Sequence, residues 1–345
     1  MKLVRTEDAV GQVLCHDITQ IIPGVVKDAV FRKGHIVTKE DIPVLLSVGK
    51  ENLYIWEKQE GMLHENEAAE ILRQICQGEH MHPSEVKEGK IELIADCEGV
   101  LKINTEKLNA VNNLGEMMIA SRHGNFPVKT GDKIAGTRII PLVIEEEKMQ
   151  KACEVAGKEP IFRILPYQKK KAGIVTTGSE VYYHRIEDKF TPVVIEKLKE
   201  CGVTEVKQIQ CNDDHEMITE AIQTLIEDGS DLIVCTGGMS VDPDDRTPLA
   251  IKNACTEVVT YGAPVLPGAM FMLAYCEKEG RQIPVMGLPG CVMYAKRTIF
   301  DLVLPRIMCD EKLHEKDFRL LGQGGLCLSC PVCTFPNCGF GKGGY

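Results

Sequence analysis

Asp231-Leu232-Ile233-Val234-Cys235-Thr236-Gly237-Gly238-Met239-Ser240 is the stretch that decides the fold of this 345-residue chain. A short apolar run stops at a threonine and a glycine pair, the pattern of a buried strand that delivers its end to a loop. Neighbouring segments repeat it. The spacing predicts a strand over 172–176 ending in Thr177-Gly178-Ser179-Glu180, then a helix opened by Thr191-Pro192 and closed by Cys201-Gly202. Proline in the first turn and glycine just past the end are the expected punctuation. A second strand covers 203–210, and Asp213 or Asp214 caps a helix through Ile226 whose Met217, Ala221, Ile222 and Leu225 form a buried stripe. A fourth strand over 283–288 ends in Pro289-Gly290 and precedes a helix from Val292 to about Met308. Strands alternating with helices at this spacing predict an α/β domain over 170–308, a parallel sheet covered on both faces in three layers. Ligands of such sheets bind beyond the carboxyl ends of the strands.

Upstream, residues 1–165 read differently. Short strand-like pieces over 25–31, 34–38, 51–56, 90–95, 100–103 and 133–144 are separated by glycines, which predicts a β-rich region of one or two subdomains. Helices interrupt it over 39–48, with Thr38 as cap and Gly49 as stop, and over 65–77, where Ala68, Ile71, Leu72 and Ile75 recur at helical spacing. An acidic third helix is expected over 144–155. No internal repeat is visible.

Composition bounds the function. An apolar content of 44% with 26% charged residues is that of a globular protein with ample core. The formal charge of −10 argues against a nucleic-acid surface, and the longest basic run, Lys169 to Lys171, reads as a solvated junction before a strand. No apolar run approaches the length needed to cross a bilayer, so no membrane association is expected. The N-terminus lacks the apolar core of a secretory signal and the 15 cysteines are odd in number, which predicts reduced thiols in a cytoplasmic protein.

Three loops at successive strand ends carry the candidate chemistry: Thr177 to Glu180, Thr236 to Ser240 and Leu288 to Cys291. Each places glycine beside backbone amides, and the first two add hydroxyls, a combination suited to a phosphate or an extended polar ring. One glycine pair would read as a turn; three together make a cleft tolerant of anions. Asp242, Asp244 and Asp245 follow the second loop, and with Glu180 they offer carboxylates for Mg²⁺, which binds through oxygen together with substrate phosphate. For Asp242 and Asp244 a solvated loop charge or a cap is an equally good reading.

At these residues the sequence resembles the molybdopterin-binding domain shared by molybdopterin molybdenumtransferases (MoeA-like proteins) and molybdopterin adenylyltransferases. The resemblance runs from about Lys171 to Met308. It rests on the element Thr177 to Glu180, Asp188 before the first helix, Thr236-Gly237-Gly238 with Ser240 and Asp245, Pro267-Gly268, and Gly287-Leu288-Pro289-Gly290. A fainter similarity to the transferases lies in Asp8-Ala9-Val10-Gly11 with Asp17, in Phe31-Arg32-Lys33-Gly34, and in Leu45-Leu46-Ser47-Val48-Gly49. The resemblance implies a protein of molybdenum-cofactor biosynthesis that binds molybdopterin or adenylylated molybdopterin, inserts molybdate with Mg²⁺ and releases AMP. A homo-oligomer is expected, with a molybdoenzyme as a client. Glu180 and Asp245 fall on the acidic positions of the active cleft, with Asp242 beside them for Mg²⁺. Thr177, Gly178, Ser179, Asp188, Thr236, Gly237, Gly238, Ser240, Pro267, Gly268, Leu288, Pro289 and Gly290 fall on positions that meet the cofactor.

Departures from the pattern matter as well. Where the transferases read K-P-G-K-P, this chain reads Val265-Leu266-Pro267-Gly268-Ala269-Met270, and where they read L-P-G-N-P it reads Leu288-Pro289-Gly290-Cys291-Val292. Two lysines and an asparagine that would meet an oxyanion are absent. The family's linker motifs are not found over 89–140, so no cleft residue is assigned there. Cys291 reads as a small residue in a tight helix entry, with a soft metal ligand as the sharper alternative. A second function class, a non-catalytic molybdopterin carrier, sensor or maturation partner, fits these losses.

The chain ends in a glycine-rich tail over 320–345 with Cys327, Cys330, Cys333 and Cys338 spaced C-x2-C-x2-C-x4-C. Thiolates at that spacing suit Zn²⁺ or a [4Fe–4S] cluster, and the spacing does not choose between them. Without a metal, such a tail has little reason to fold.

Overall fold

The computed structural model describes residues 2–22, 26–55 and 60–343. Contacts divide it into two units, one of Met1–Asp96, Ile103–Arg122 and Gly131–Arg163, the other of Cys97–Lys102, His123–Thr130 and Ile164–Tyr345.

The first unit is β-rich, with helices. A four-stranded antiparallel sheet runs in the order Met81–Pro83, Lys90–Ala95, Lys133–Ile139, Met117–Ser121, and two-stranded ladders join Lys2–Arg5 to Asn52–Ile55 and Val143–Glu145 to Met62–His64. Alternating burial of Ile91, Leu93 and Ala95 puts one sheet face against the helix Glu65–Cys76, whose Ala68, Leu72 and Ile75 are buried as the spacing predicts. The expected strand over 133–144 ends at Ile139, and the acidic helix begins at Glu146 after a short strand. Residues 34–38 form no strand beyond one bridge, Val13 to Ile36. Val25 and Trp56, the ends of two expected strands, lie outside the described residues.

A polar cluster lies inside this unit. His64 caps the helix Glu65–Cys76 by accepting from the Asn66 amide at 3.1 Å, and its other ring nitrogen meets Cys15 O at 2.8 Å. Lys33 Nζ approaches the capping nitrogen at 3.1 Å. Glu65, 7% exposed, is pushed by burial from its usual 4.5 up to about 6.

The second unit contains the α/β domain. Its six strands are β1 (Lys171–Thr177), β2 (Glu205–Cys211), β3 (Leu232–Thr236), β4 (Glu257–Tyr261), β5 (Met272–Lys278) and β6 (Arg281–Leu288), in the order β2-β1-β3-β6-β5-β4. β2, β1, β3 and β6 are mutually parallel; β5 and β4 add an antiparallel edge. Successive residues serve opposite faces. Ile174, Val234 and Met286 pack with α1 (Phe190–Glu200) through Val194 and Leu198, and with a second helix through Phe300 and Val303. On the other face Val175, Ile233, Cys235 and Val285 pack with α2 (His215–Glu227) and α3 (Thr247–Ala254). Three layers are the result.

The helix carrying Phe300 is α4 (Ile299–Met308), and all ten of its residues are buried. It starts seven residues later than the apolar pattern predicts. Gly290–Met293 make a separate 3₁₀ turn, and Thr298 opens α4 in a capping box: its hydroxyl accepts from the Phe300 amide at 3.2 Å, while Asp301 Oδ2 accepts from the Thr298 amide at 2.7 Å. The tail packs on the same core. Leu266 and Leu326 form a parallel bridge, Leu266 N donating to Gly325 O and Cys327 N to Leu266 O, each at 2.8 Å. Phe340 is buried among the residues that surround α4, and Phe335 lies 5.9 Å from Phe126 ring to ring. Apolar packing through Phe335 and Phe340 therefore contributes to the order of the tail, beside whatever its cysteines hold.

Candidate functional site at the carboxyl edge of the sheet

Register places the three loops side by side. Thr176 of β1 lies opposite Thr236 of β3, and Thr236 lies opposite Leu288 of β6, so residues 178–180, 237–240 and 289–291 leave the sheet from one rung. The antiparallel pairing adds a fourth loop, because Met272 opens β5 opposite Gly287 and brings residues 262–271, with Pro267 and Gly268, to the same edge. Cys211 ends β2 opposite Thr177, which brings Asn212 to Asp214 there as well.

Threonines bind the loops together from beneath. Thr177 Oγ1 donates to Thr236 O at 3.0 Å and lies 3.1 Å from Thr247 Oγ1. Gly237 and Gly238 turn over this layer with φ of 88° and 56°. A β-carbon at Gly237 would stand 2.5 Å from Thr177 O, and one at Gly238 2.7 Å from Thr247 Oγ1. Both glycines are thus required by internal packing, a cause distinct from the close approach of a ligand. Gly268 is similar, facing Ile299, whereas Gly290 has open space around it. Thr236 Oγ1 is buried and has no hydrogen-bond partner among the described residues.

The acidic residues fall into two kinds. Asp188 is structural: its Oδ1 accepts from the amides of Phe190 and Thr191 at 3.0 Å each, and its Oδ2 from Gln208 Nε2 at 3.0 Å. Burial works to raise its pKa, and these hydrogen bonds override burial to hold the carboxyl below the usual range. Asp242 is exposed and closes its own loop, accepting from the Asp244 amide at 3.1 Å. Asp245 uses Oδ2 to hold the Ser240 amide at 2.8 Å, which braces the turn that Tyr261 also braces by donating to Met239 O at 3.1 Å. Glu180 is exposed at the head of the short helix Ser179–Tyr182. Among the described residues no three His, Cys, Asp or Glu side chains gather closely enough to hold a metal ion by themselves. The donor set fits Mg²⁺ only in the mode where one or two carboxylates act with water and substrate phosphate.

Asp213 escaped the sequence reading except as a cap. Asp214 is the cap, accepting from Glu216 N at 2.8 Å, and this frees Asp213 to accept from the Ser179 amide at 2.8 Å and so fix the first loop. The adjacent Asp-Asp pair was the available signal. Cys291 is half-buried and its thiol is pushed up by burial, which is the behaviour of a packing residue.

Two cavities have similar volumes. One of 530 Å³ sits at the opposite end of the sheet, lined by charged residues that pair with one another, including Arg281 with Asp231 and Lys170 with Asp310. The other, of 560 Å³, is lined by Cys327, Cys330, Cys333 and Cys338 together with Pro267 and Lys296. No helix among the described residues is long and apolar enough to cross a membrane.

Residues 173–308 match the family described as a probable molybdopterin binding domain, and residues 3–57 match a domain of unknown function. The first match spans the α/β domain with every loop of its carboxyl edge and ends before the tail. A CinA-like protein of Mycobacterium sp. (strain MCS) is 35% identical over 85 residues, which are 25% of this chain and 20% of that protein. A CinA-like protein of Mycobacterium avium (strain 104) is 34% identical over 95 residues, 28% of this chain and 22% of that protein. The chain therefore spans about a fifth of the length of these curated relatives. Among solved structures, the tungsten cofactor synthesizing protein MoaB from Pyrococcus furiosus matches with a TM-score of 0.32 and 23% identity, covering 36% of this chain and 84% of its own. The protein CinA with unknown function from Thermoplasma acidophilum matches with a TM-score of 0.33 and 15% identity, covering 41% and 98%. The domain match does not single out the transferase branch.

Proposed function

We propose that the carboxyl edge of this sheet binds molybdopterin and that the protein acts in molybdenum-cofactor biosynthesis, taking the adenylylated form with molybdate and releasing AMP. The observation that carries the reading is the common rung of Thr176, Thr236 and Leu288, from which three amide-bearing loops, two of them with hydroxyls, leave together, with the buried Thr236 Oγ1, unpartnered among the described residues, at its centre. Thr177, Gly178, Ser179, Thr236, Gly237, Gly238, Ser240, Pro267, Gly268, Leu288, Pro289 and Gly290 form the cradle, while Asp188 and Asp213 set the shape of the first loop. Backbone amides in these turns offset charge on the phosphates, which is catalysis by position and electrostatics. Glu180 and Asp245, with Asp242 near the loop tip, supply the carboxylates for Mg²⁺, whose contribution when bound is to neutralise the phosphoanhydride.

The test is AMP release from adenylylated molybdopterin under anaerobic conditions with Mg²⁺ and molybdate. Glu180→Gln and Asp245→Asn remove charge and keep an oxygen acceptor, so the Ser240 amide remains bonded in the latter. Release is expected to fall roughly a hundredfold in each with pterin affinity retained. Unchanged release in both would overturn the assignment. A carrier is the second reading, favoured by one observation: Val265 to Met270 present no cationic side chain at the Pro267-Gly268 turn. A chain that binds molybdopterin and releases no AMP in its unmutated form would establish it.

A further inference from the structure

We propose that Cys327, Cys330, Cys333 and Cys338 ligate a [4Fe–4S] cluster in the cavity that they line together. The sequence spacing admits zinc and a cluster alike, and the size of the shared cavity favours the cluster. A single zinc ion requires four sulfurs within about 2.3 Å of one point. Here all four cysteines line one space of 560 Å³, far more than a single ion fills. Thiols placed around a wide cavity suit a ligand that has width of its own, as an iron–sulfur cube does, with one cysteine to each iron.

The cavity is built, and not merely bordered. Cys327 and Cys338 are half-buried and pack against the core around α4, and Cys327 N is fixed to Leu266 O at 2.8 Å. Cys330 and Cys333 line the same cavity and are exposed. Lys296 reaches the tail backbone, donating to Pro331 O at 2.8 Å, and places a cation beside a four-thiolate centre of net negative charge. Phe335 and Phe340 supply an apolar wall, of the kind that limits water and helps to set the potential of such a centre. Pro267 of the pterin-edge loop lines the same space, so the centre would lie against one wall of the proposed cleft. Its presence does not depend on what that cleft binds.

The experiment uses the full chain, purified and reconstituted anaerobically with ferrous iron and sulfide. About four iron and four sulfide per chain with broad visible absorption are expected. Cys330→Ser and Cys333→Ser change exposed side chains, so the fold is retained by circular dichroism while iron, sulfide and colour are lost. Cys153→Ser, an exposed thiol of the other unit, keeps all three. Stoichiometric zinc without sulfide would overturn the cluster, as would no metal at all; iron and sulfide retained in both tail variants would overturn the ligand assignment. Molybdopterin titration of the same samples reads the cleft separately, so a loaded chain that fails to bind pterin would count against the proposed function alone.

Discussion

Gly237 and Gly290 occupy comparable loop positions in the sequence and opposite situations in space. At Gly237 the backbone has φ of 88° and a β-carbon would stand 2.5 Å from a carbonyl oxygen of β1, which cannot move without breaking the sheet. Gly237→Ala is expected to destabilise by about 2 kcal/mol or more, measured as a lower urea midpoint at unchanged slope. At Gly290 nothing lies within 4 Å, so Gly290→Ala is expected to stay within about 0.5 kcal/mol of the parent. Loss of pterin affinity in that variant would then report the ligand and not the fold. Glu65 gives a pH-dependent prediction. Its pKa in the folded chain, about 6, lies above the usual 4.5, so its contribution to stability is complete below pH 4.5 and is lost as pH rises through 6. Glu65→Gln should therefore raise stability at pH 8 by about 2 kcal/mol and leave it nearly unchanged at pH 4, as read by urea unfolding at the two pH values. The sequence made the glycine loops legible because glycine pairs punctuate strand ends. It hid the reason for Gly237, since Thr177, which excludes a side chain there, is distant in the chain.

The loop between β6 and α4 depends on one carboxylate. Asp301, 3% exposed in its side chain, accepts from Lys197 Nζ at 2.6 Å, Arg297 Nη1 at 2.8 Å and the Thr298 amide at 2.7 Å. Asp301→Ala leaves the Lys197 ammonium of α1 buried without its carboxylate, with the Lys296 carbonyl at 3.1 Å remaining, and removes half of the capping box. The expected cost is about 3–5 kcal/mol in urea unfolding, and Lys197→Met in the same background should recover part of it. At this scale the alternation of strand and helix predicted β1, β2, β3, β6, α1 and α2, because parallel strands covered on both faces read as continuous apolar runs bounded by turn residues. The antiparallel edge was not legible. β4 has no buried residue in its alternation, and Arg281 to Gln282, the polar opening of β6, lie past the Glu279-Gly280 turn from β5. α4 was placed too early because Val292 and Ala295 continue its apolar spacing, although Thr298-x-x-Asp301 marked the true start.

Over the whole molecule the chain passes between its two units after residues 96, 102, 122, 130 and 163, so neither unit is one continuous stretch. Composition divided the chain near residue 165 because β-rich and alternating patterns meet there, whereas Phe126, which packs with Phe300 and Phe340, carries no local sign of its allegiance. The tail was legible as a metal motif and illegible as a packed element, since Phe335 and Phe340 are few and far between glycines. The distribution of thiols has a kinetic consequence. Of the 15 cysteines, Cys153, Cys330 and Cys333 are exposed, while burial pushes Cys76, Cys201 and Cys309 up to about 12 and Cys211 up to about 11. Alkylation proceeds through the thiolate, so the buried thiols are slow on two grounds, access and protonation. A brief iodoacetamide pulse on the native chain should therefore mark Cys153 in every state, and Cys330 and Cys333 only while they are unligated, with peptide mass spectrometry as the readout. Cys153 is then an internal clock against which the occupancy of the tail can be timed.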